Sequence, residues 1–222
     1  MHRSNKNTNI LAIESGISGG SLAVISGGEV ISELFGDSSV SRAEDLLAKI
    51  DEIINSTVGS KHEIDSIAVS AGPGSFTGLR IGLATAMGLS SALAIRHVRV
   101  PLLRSMGESA AVEGRLVAVI PIGKIDLCFQ RFERKDGKLI ELTPARSGPR
   151  DHLLLEISAL IDTTVVAHST VIESEEASDL KFNSNPWLDI GSGLASVIGK
   201  YALKRDAEFA SSPIYVQSPR FS

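Results

Sequence analysis

The chain is most distinctive at Gly72-Pro73-Gly74-Ser75-Phe76-Thr77-Gly78-Leu79-Arg80-Ile81-Gly82, a glycine-rich turn between a predicted strand and a predicted helix. Residues 64–70 before the turn are rich in β-branched side chains, and residues 79–95 after it have the composition and length of a helix. The turn therefore lies at a helix N-terminus, where unpaired N–H groups favour a phosphate or a carboxylate. Its glycine spacing fits neither the dinucleotide-binding pattern nor the P-loop. Small residues four apart instead favour close packing of this helix against a sheet, another helix or another protein.

These residues resemble the signature of the TsaB (YeaZ) family. The likeness extends from residues 10–15 near the start of the chain to residues 213–216 near its end, and it is weaker in the second half. Members of the family are the non-catalytic partners of the TsaD enzyme, with TsaE, in the threonylcarbamoyl modification of adenosine 37 in tRNAs that read ANN codons. The resemblance therefore implies a non-catalytic subunit with two partners, a TsaD-like enzyme and a TsaE-like ATPase.

Apolar periodicity predicts a pattern of elements that occurs twice. In the first half, the predicted strands are 10–14, 21–25, 29–34, 64–70 and 97–102, and the helices begin at Ser41 and at Leu79. In the second half, the predicted strands are 116–120, 124–132, 138–142 and 163–168, and the helices are 151–161 and 192–203. The equivalent hairpin turns are Gly27-Gly28 and Asp136-Gly137, because these residues suit tight primed turns.

This order predicts an α/β fold with two lobes, built from a duplicated βββαβα unit whose second half is degenerate. It is the RNase H-like architecture of actin, hexokinase and Hsp70, to which the TsaB family belongs. We expect an N-terminal lobe at residues 1–105, with the glycine signature, and a degenerate C-terminal lobe at residues 106–222. Loops are expected at Pro144, at residues 147–149 and along the polar run 173–185.

Composition limits the possible classes of function. Hydrophobic residues make up 43% of the 222 residues, which supports a substantial core. The net charge is −4 and the basic residues are scattered, so we expect tRNA to be bound only through the complex. Residues 1–9 lack the apolar segment of a signal peptide, and the apolar stretch 81–95 is too short to cross a membrane. With Cys128 as the single cysteine, these features predict a cytoplasmic protein.

The predicted cleft between the lobes lacks one of its two expected acids. Nucleotide-cleaving proteins of this architecture carry an acidic residue on the first strand of each half, and Glu14 fits in the first half. The equivalent residues 120–123 have no carboxylate, although Asp126 follows them. A second family turn is altered to Val166-Ala167-His168-Ser169, whose added Cβ atoms would obstruct a ligand. We therefore predict no metal and no cofactor, with ATP bound only weakly or in the assembled complex; the weak candidates are Glu14, Gly72, Gly74 and Ser75.

Catalytic alternatives have less support in the sequence. Residues 16–20 match the Gly-x-Ser-x-Gly pattern of a peptidase or esterase, but they join two predicted strands instead of a strand and a helix. The adjacent Asp151 and His152 are more typical of a helix start than of a catalytic dyad, and the histidine spacing has no zinc-binding pair. The alternative that stays open is a small-molecule kinase or ATPase, with Glu14 on Mg²⁺ and the turn 72–78 on phosphate.

The resemblance also implies where a partner binds, because TsaB proteins dock a second subunit through the glycine-signature helix and the helix before it. We expect the first of these helices to present Arg42, Leu46 and Ile50, while Leu47 and Ile54 turn towards the sheet. The expected interface residues are Arg42, Leu46, Ile50, Gly78, Arg80, Gly82, Leu83 and Met87. In isolation, the same apolar face is expected to form a symmetric homodimer.

Overall fold

The protein was analysed as a computed structural model that describes residues 8–36, 42–175, 177 and 185–204. Two mixed β-sheets organise these residues. The first sheet has the strand order β3-β2-β1-β4-β5, with bounds β1 Asn9–Glu14, β2 Ser21–Ser26, β3 Glu29–Phe35, β4 Ser66–Ser70 and β5 Arg96–Val100. The second has the order β11-β10-β6-β7-β8, with bounds β6 Gly114–Ile122, β7 Asp126–Lys135, β8 Lys138–Glu141, β10 Thr163–Ala167 and β11 Trp187–Asp189. A further strand, β9 Arg146–Pro149, pairs with β7.

The two sheets have the same topology, which confirms the predicted duplication. In each sheet, the first strand of the half is central: β1 is antiparallel to β2 and parallel to β4, and β6 is antiparallel to β7 and parallel to β10. Both predicted hairpin turns are present: Gly27 and Gly28 have φ of 60° and 96°, and Asp136 and Gly137 have φ of 52° and 73°. Tight primed turns require positive φ at both central residues, and the sequence predicted the turns here because these residues tolerate it.

The α-helices whose bounds the structure describes pack on the sheets in three layers. Their bounds are α1 Arg42–Thr57, α2 Phe76–Leu93, α3 Leu102–Ala110, α4 Arg150–Ser158, α5 Ser169–Ile172 and α6 Leu194–Lys204, and a short 3₁₀ helix spans Lys61–Glu63. Helices α1 and α2 cover the outer face of the first sheet, and α4 and α5 cover the outer face of the second. Helices α3 and α6 lie between the sheets, where one continuous hydrophobic core joins side chains of both sheets. No helix within the described ranges is long and apolar enough to cross a membrane.

Several boundaries differ from the prediction for identifiable reasons. Helix α2 begins at Phe76, three residues before the predicted start, because the Ser75 side chain accepts a hydrogen bond from Gly78 N–H and caps the helix. Strand β5 ends at Val100, because Pro101 cannot donate to a sheet and instead forms the cap of α3, which the sequence analysis missed. The expected lobe boundary after residue 105 falls inside this helix.

The second half contains strands where loops were expected. Residues 147–149 belong to β9, an edge strand that tolerates Pro149 at its end. The short strand β11 was not predicted, and most of the polar run 173–185 lies outside the described residues. Residues 213–216, which contributed to the family resemblance, also lie outside them.

Candidate functional site

Three backbone donors of the glycine-rich turn are used within the chain. Ser75 N–H donates to the Gly16 carbonyl at 2.7 Å, and Gly72 N–H donates to Ser70 Oγ at 3.2 Å. Gly78 N–H donates to Ser75 Oγ at 3.3 Å. A phosphate bound at these three N–H groups would have to displace their internal acceptors.

The signature glycines pack against the turn that follows β1. A Cβ at Gly74 would lie 2.8 Å from Gly16 Cα, and a Cβ at Gly78 would collide with the backbone oxygen of Ser15. A Cβ at Gly82 would collide with Ser15 Oγ, which donates to the Gly78 carbonyl at 2.8 Å. Gly78 and Gly82, both expected at the partner interface, are buried within the chain itself. The close packing predicted for this helix is intramolecular.

Glu14 is buried and closes the same turn. It is 2% exposed, and its Oε1 accepts hydrogen bonds from the N–H groups of Gly16 at 2.6 Å and Ile17 at 3.1 Å. The cavity that it lines with Gly19, Gly20 and Lys49 has a volume of about 20 Å³, enough for a water molecule but not for a nucleotide. Among the described residues, no three His, Cys, Asp or Glu side chains are grouped so that they could hold a metal ion.

His168, at the altered family turn, has a structural environment. It is 4% exposed, and its Nδ1 lies 2.8 Å from Thr170 Oγ1 and accepts from Thr170 N–H at 3.2 Å, which caps α5. Burial lowers the pKa of His168, while the Asp189 carboxylate and a hydrogen bond to the Ser192 backbone act in the opposite direction. The sequence analysis singled out the extra Cβ at this turn but not the capping role of the imidazole.

The remaining catalytic patterns do not assemble a site. Residues 16–20 connect β1 to the antiparallel β2, so Ser18 does not lie at a strand-to-helix elbow. Asp151 lies in the first turn of α4, and the side chains of Asp151 and His152 are 74% and 78% exposed. An exposed pair of this kind lacks the buried orienting group that a catalytic dyad requires.

Helix α1 is rotated relative to the expected orientation. Leu46 and Ile50 are 7% and 0% exposed and pack in the outer core of the first sheet, together with Leu83 of α2. Leu47, expected to turn towards the sheet, is 59% exposed. The apolar stripe of an amphipathic helix covers the core, so Leu46, Ile50 and Leu83 cannot be surface contacts. The side chain of Arg42 lies outside the part of the chain that the structure describes.

Helix α2 has an exposed face of uncommon composition. Residues at helical spacing lie on one side of it and are all exposed: Phe76, Arg80, Ala84, Met87 and Gly88. We call this set the α2 face. Phe76 and Met87 are 45% and 49% exposed, and the Arg80 guanidinium lies 3.8 Å from the centre of the Phe76 ring. The predicted interface residues Arg80 and Met87 are therefore at the surface, and exposed Leu47 lies on the adjacent helix α1.

Comparison with known proteins supports this family resemblance. Residues 38–138 match the family model described as TsaD, tRNA N6-adenosine threonylcarbamoyltransferase. The tRNA threonylcarbamoyladenosine biosynthesis protein TsaB of Buchnera aphidicola is 36% identical over 93 residues, which are 40% of this chain and 42% of that protein. The TsaB protein of Haemophilus influenzae is 31% identical over 107 residues, 47% of this chain and 44% of that protein. The chain thus matches less than half the length of these curated relatives.

The fold comparison covers nearly the whole chain. The crystal structure of YeaZ from Pseudomonas aeruginosa superimposes with a TM-score of 0.64 at 18% identity, covering 95% of this chain and 100% of that one. The two sheets have the duplicated α/β strand order that the sequence predicted. The predicted resemblance to the TsaB (YeaZ) family is therefore confirmed: the chain is similar in sequence to TsaB proteins over less than half of its length, and in fold to YeaZ over nearly all of it.

Proposed function

We propose that this chain is a non-catalytic subunit that binds a TsaD-like enzyme and supports threonylcarbamoylation of tRNA in the cytoplasm, in a complex that also contains a TsaE-like ATPase. The observation that carries the proposal is the exposed α2 face, on a helix whose opposite side is locked onto the chain by Gly78 and Gly82. A rigid helix with exposed aromatic, methionine and arginine side chains has the composition of a protein interface. The names of the matched relatives supply the pathway.

The lack of catalysis is part of the proposal. Glu14, the acid that a kinase or ATPase would need, is buried and accepts two backbone hydrogen bonds. The equivalent position of the second half, at the end of β6, has no carboxylate. If the chain were instead a kinase or ATPase of this fold, calorimetry with Mg-ATP would show binding, and turnover would disappear in Glu14→Ala.

A matched pair of variants tests docking through the α2 face. The space around a Cβ at Gly88 is empty, so Gly88→Leu leaves the chain folded but projects a bulky side chain from the face. Binding to a TsaD-family protein is expected to fall by about fivefold or more, since a poorly fitting side chain in an interface costs roughly 1–3 kcal/mol. His152→Leu adds apolar bulk to an exposed site on α4, far from this face, and serves as the control.

Isothermal titration calorimetry with the purified TsaD-family protein gives the affinity. Failure of the wild-type chain to bind at micromolar concentration would rule out the subunit role. Equal binding by wild type and Gly88→Leu would leave the role intact but move the interface elsewhere. Without the partner, we propose that the same face forms a homodimer, which sedimentation velocity detects as a concentration-dependent mass.

A further inference from the structure

Arg80 is the single charged residue of α2. The sequence of this 18-residue helix otherwise contains only apolar, glycine, serine and threonine residues. Arg80 lies on the α2 face, one turn from Phe76 and one turn from Ala84, and near the exposed Met87. A lone cation on an otherwise uncharged exposed face sets the chemistry that a bound surface must offer.

The guanidinium of Arg80 is held in place but has no carboxylate partner among the described residues. It stacks at 3.8 Å from the centre of the Phe76 ring, which leaves the N–H groups at the edge of the guanidinium free to point outwards. On neighbouring α1, Asp45 pairs with Lys49 at 2.8 Å and Asp51 pairs with Lys61 at 2.7 Å, while the side chain of Glu52 is exposed. A planar, oriented guanidinium is suited to bidentate binding of a carboxylate.

We propose that Arg80, backed by Phe76, is the charged anchor of the α2 face and selects a partner protein that carries an aspartate or glutamate beside an apolar patch. This inference rests on the proposed function and specifies the chemistry of the partner surface. Burying Arg80 at an interface without a counterion would be costly, so the partner must supply one.

Other occupants fit the face less well. A second copy of α2 brings apolar surface but no carboxylate, so a homodimer that pairs α2 with α2 covers Met87 and gives Arg80 no counterion from that helix. A tRNA phosphate would satisfy Arg80, but nucleic-acid surfaces use several cations together, whereas α2 has one and the chain has a net charge of −4. Charge complementarity together with apolar surroundings therefore favours a protein carboxylate.

The test compares partner binding with self-association in the same variants. Arg80→Gln removes the charge, Arg80→Lys keeps the charge without the planar fork, and Phe76→Leu removes the ring. Arg115→Gln removes an exposed arginine at the start of β6 and is the matched control. Calorimetry with the TsaD-family protein is run at low and at raised salt, sedimentation velocity measures self-association, and circular dichroism verifies the fold of each variant.

We expect Arg80→Gln to weaken partner binding about tenfold or more, because a charge-assisted hydrogen-bonded pair is lost. Arg80→Lys and Phe76→Leu should give intermediate losses, and Arg115→Gln should stay within about twofold of wild type. Raised salt should weaken the wild-type complex more than the Arg80→Gln complex. Self-association should be unchanged in all four variants except Phe76→Leu.

Distinct outcomes separate this inference from the proposed function. If Arg80→Gln binds the partner like wild type while Gly88→Leu does not, the face is correct and the anchor is wrong. If partner binding and self-association weaken by the same factor in Arg80→Gln, a second copy supplies the counterion and the inference is overturned. If the wild-type chain alone binds unmodified tRNA and Arg80→Gln loses that binding while it keeps partner binding, the inference is overturned in favour of a phosphate. If the wild-type chain does not bind the TsaD-family protein at all, the proposed function fails first.

Discussion

Two glycines ten positions apart on α2 have opposite surroundings. A Cβ at Gly78 would collide with the backbone oxygen of Ser15, whereas nothing lies within 4 Å of a Cβ at Gly88. The first glycine is therefore required by packing within the chain, and the second is not. A glycine in a helix interior lowers stability by about 1 kcal/mol relative to alanine. Since no packing contact requires glycine at Gly88, folding gives no reason for it there.

Alanine at each position distinguishes the two roles. Gly78→Ala should lower the free energy of unfolding by about 1–3 kcal/mol, because a backbone oxygen cannot move aside as a side chain can. Gly88→Ala should raise it by up to about 1 kcal/mol through helix propensity alone. Urea unfolding of the two variants measures both changes. A stabilised Gly78→Ala variant would show that the contact with the turn after β1 is not tight.

His168 makes the stability of the chain depend on pH. Burial lowers its pKa below the ordinary value of 6.5, so the unfolded chain binds a proton at a higher pH than the folded chain does. Stability is then fully present above about 6.5 and is lost as pH falls from that value through the folded pKa. Protonation of Nδ1 also removes the acceptor of the Thr170 N–H.

The comparison that isolates this effect is His168→Gln against His152→Gln. Thermal melting between pH 7 and pH 5 should show a steep loss of stability in wild type and in His152→Gln, whose imidazole is exposed. The loss should be shallower in His168→Gln, although that variant is less stable at neutral pH. Parallel profiles in all three proteins would mean that another group controls the acid sensitivity.

At the scale of elements, α1 shows the limit of sequence periodicity. The spacing of Leu46, Leu47, Ile50, Ile53 and Ile54 predicted a helix, and all of these side chains except Leu47 lie in the core under the first sheet. Spacing alone does not show which side of a helix faces the sheet. The family resemblance placed Leu46 and Ile50 on the partner side. Both side chains are buried instead, because an amphipathic helix that covers a sheet turns its apolar stripe inwards.

Adjacent leucines on α1 give a matched test of this orientation. Leu46→Asp should destabilise the isolated chain by several kcal/mol, because it buries an unpaired carboxylate against the first sheet. Leu47→Asp should leave stability within about 0.5 kcal/mol of wild type and, if α1 borders the interface, should weaken partner binding. Chemical unfolding gives the first quantity and calorimetry the second. A folded Leu46→Asp variant would mean that α1 is oriented differently from the structure.

The elements missed in the sequence were short or interrupted. Helix α3 has nine residues and contains Gly107, so its pattern was too weak to separate from the strand before it. Strands β9 and β11 have four and three residues, and both are stabilised by pairing with distant strands instead of by local sequence. The helix start at Phe76 was predictable from Ser75, whose side chain caps the helix.

For the whole molecule, the duplicated topology was predictable, but the connection between the halves was not. Each sheet follows from local strand patterns and hairpin turns. The long-range contact is made by α6, which comes last in the described chain yet packs against β1 and β2 of the first sheet. A Cβ at Gly199 would lie 3.0 Å from Ala12 Cβ and would collide with Ile25. The local sequence does not predict that α6 packs on the first sheet, because this packing joins residues nearly two hundred positions apart.

This packing predicts that the two sheets unfold together. Gly199→Val forces α6 away from the first sheet, while α6 shares one core with Leu116 and Ala118 of β6 in the second sheet. Native-state hydrogen exchange should then show loss of protection in β1 and β6 by similar amounts, because one core serves both sheets. Lys200→Val places the same side chain at the neighbouring exposed position and should leave both strands protected. If β1 loses protection while β6 does not, the chain consists of two independently stable lobes, and the boundary near residue 105 acquires a physical basis that the shared core does not give it.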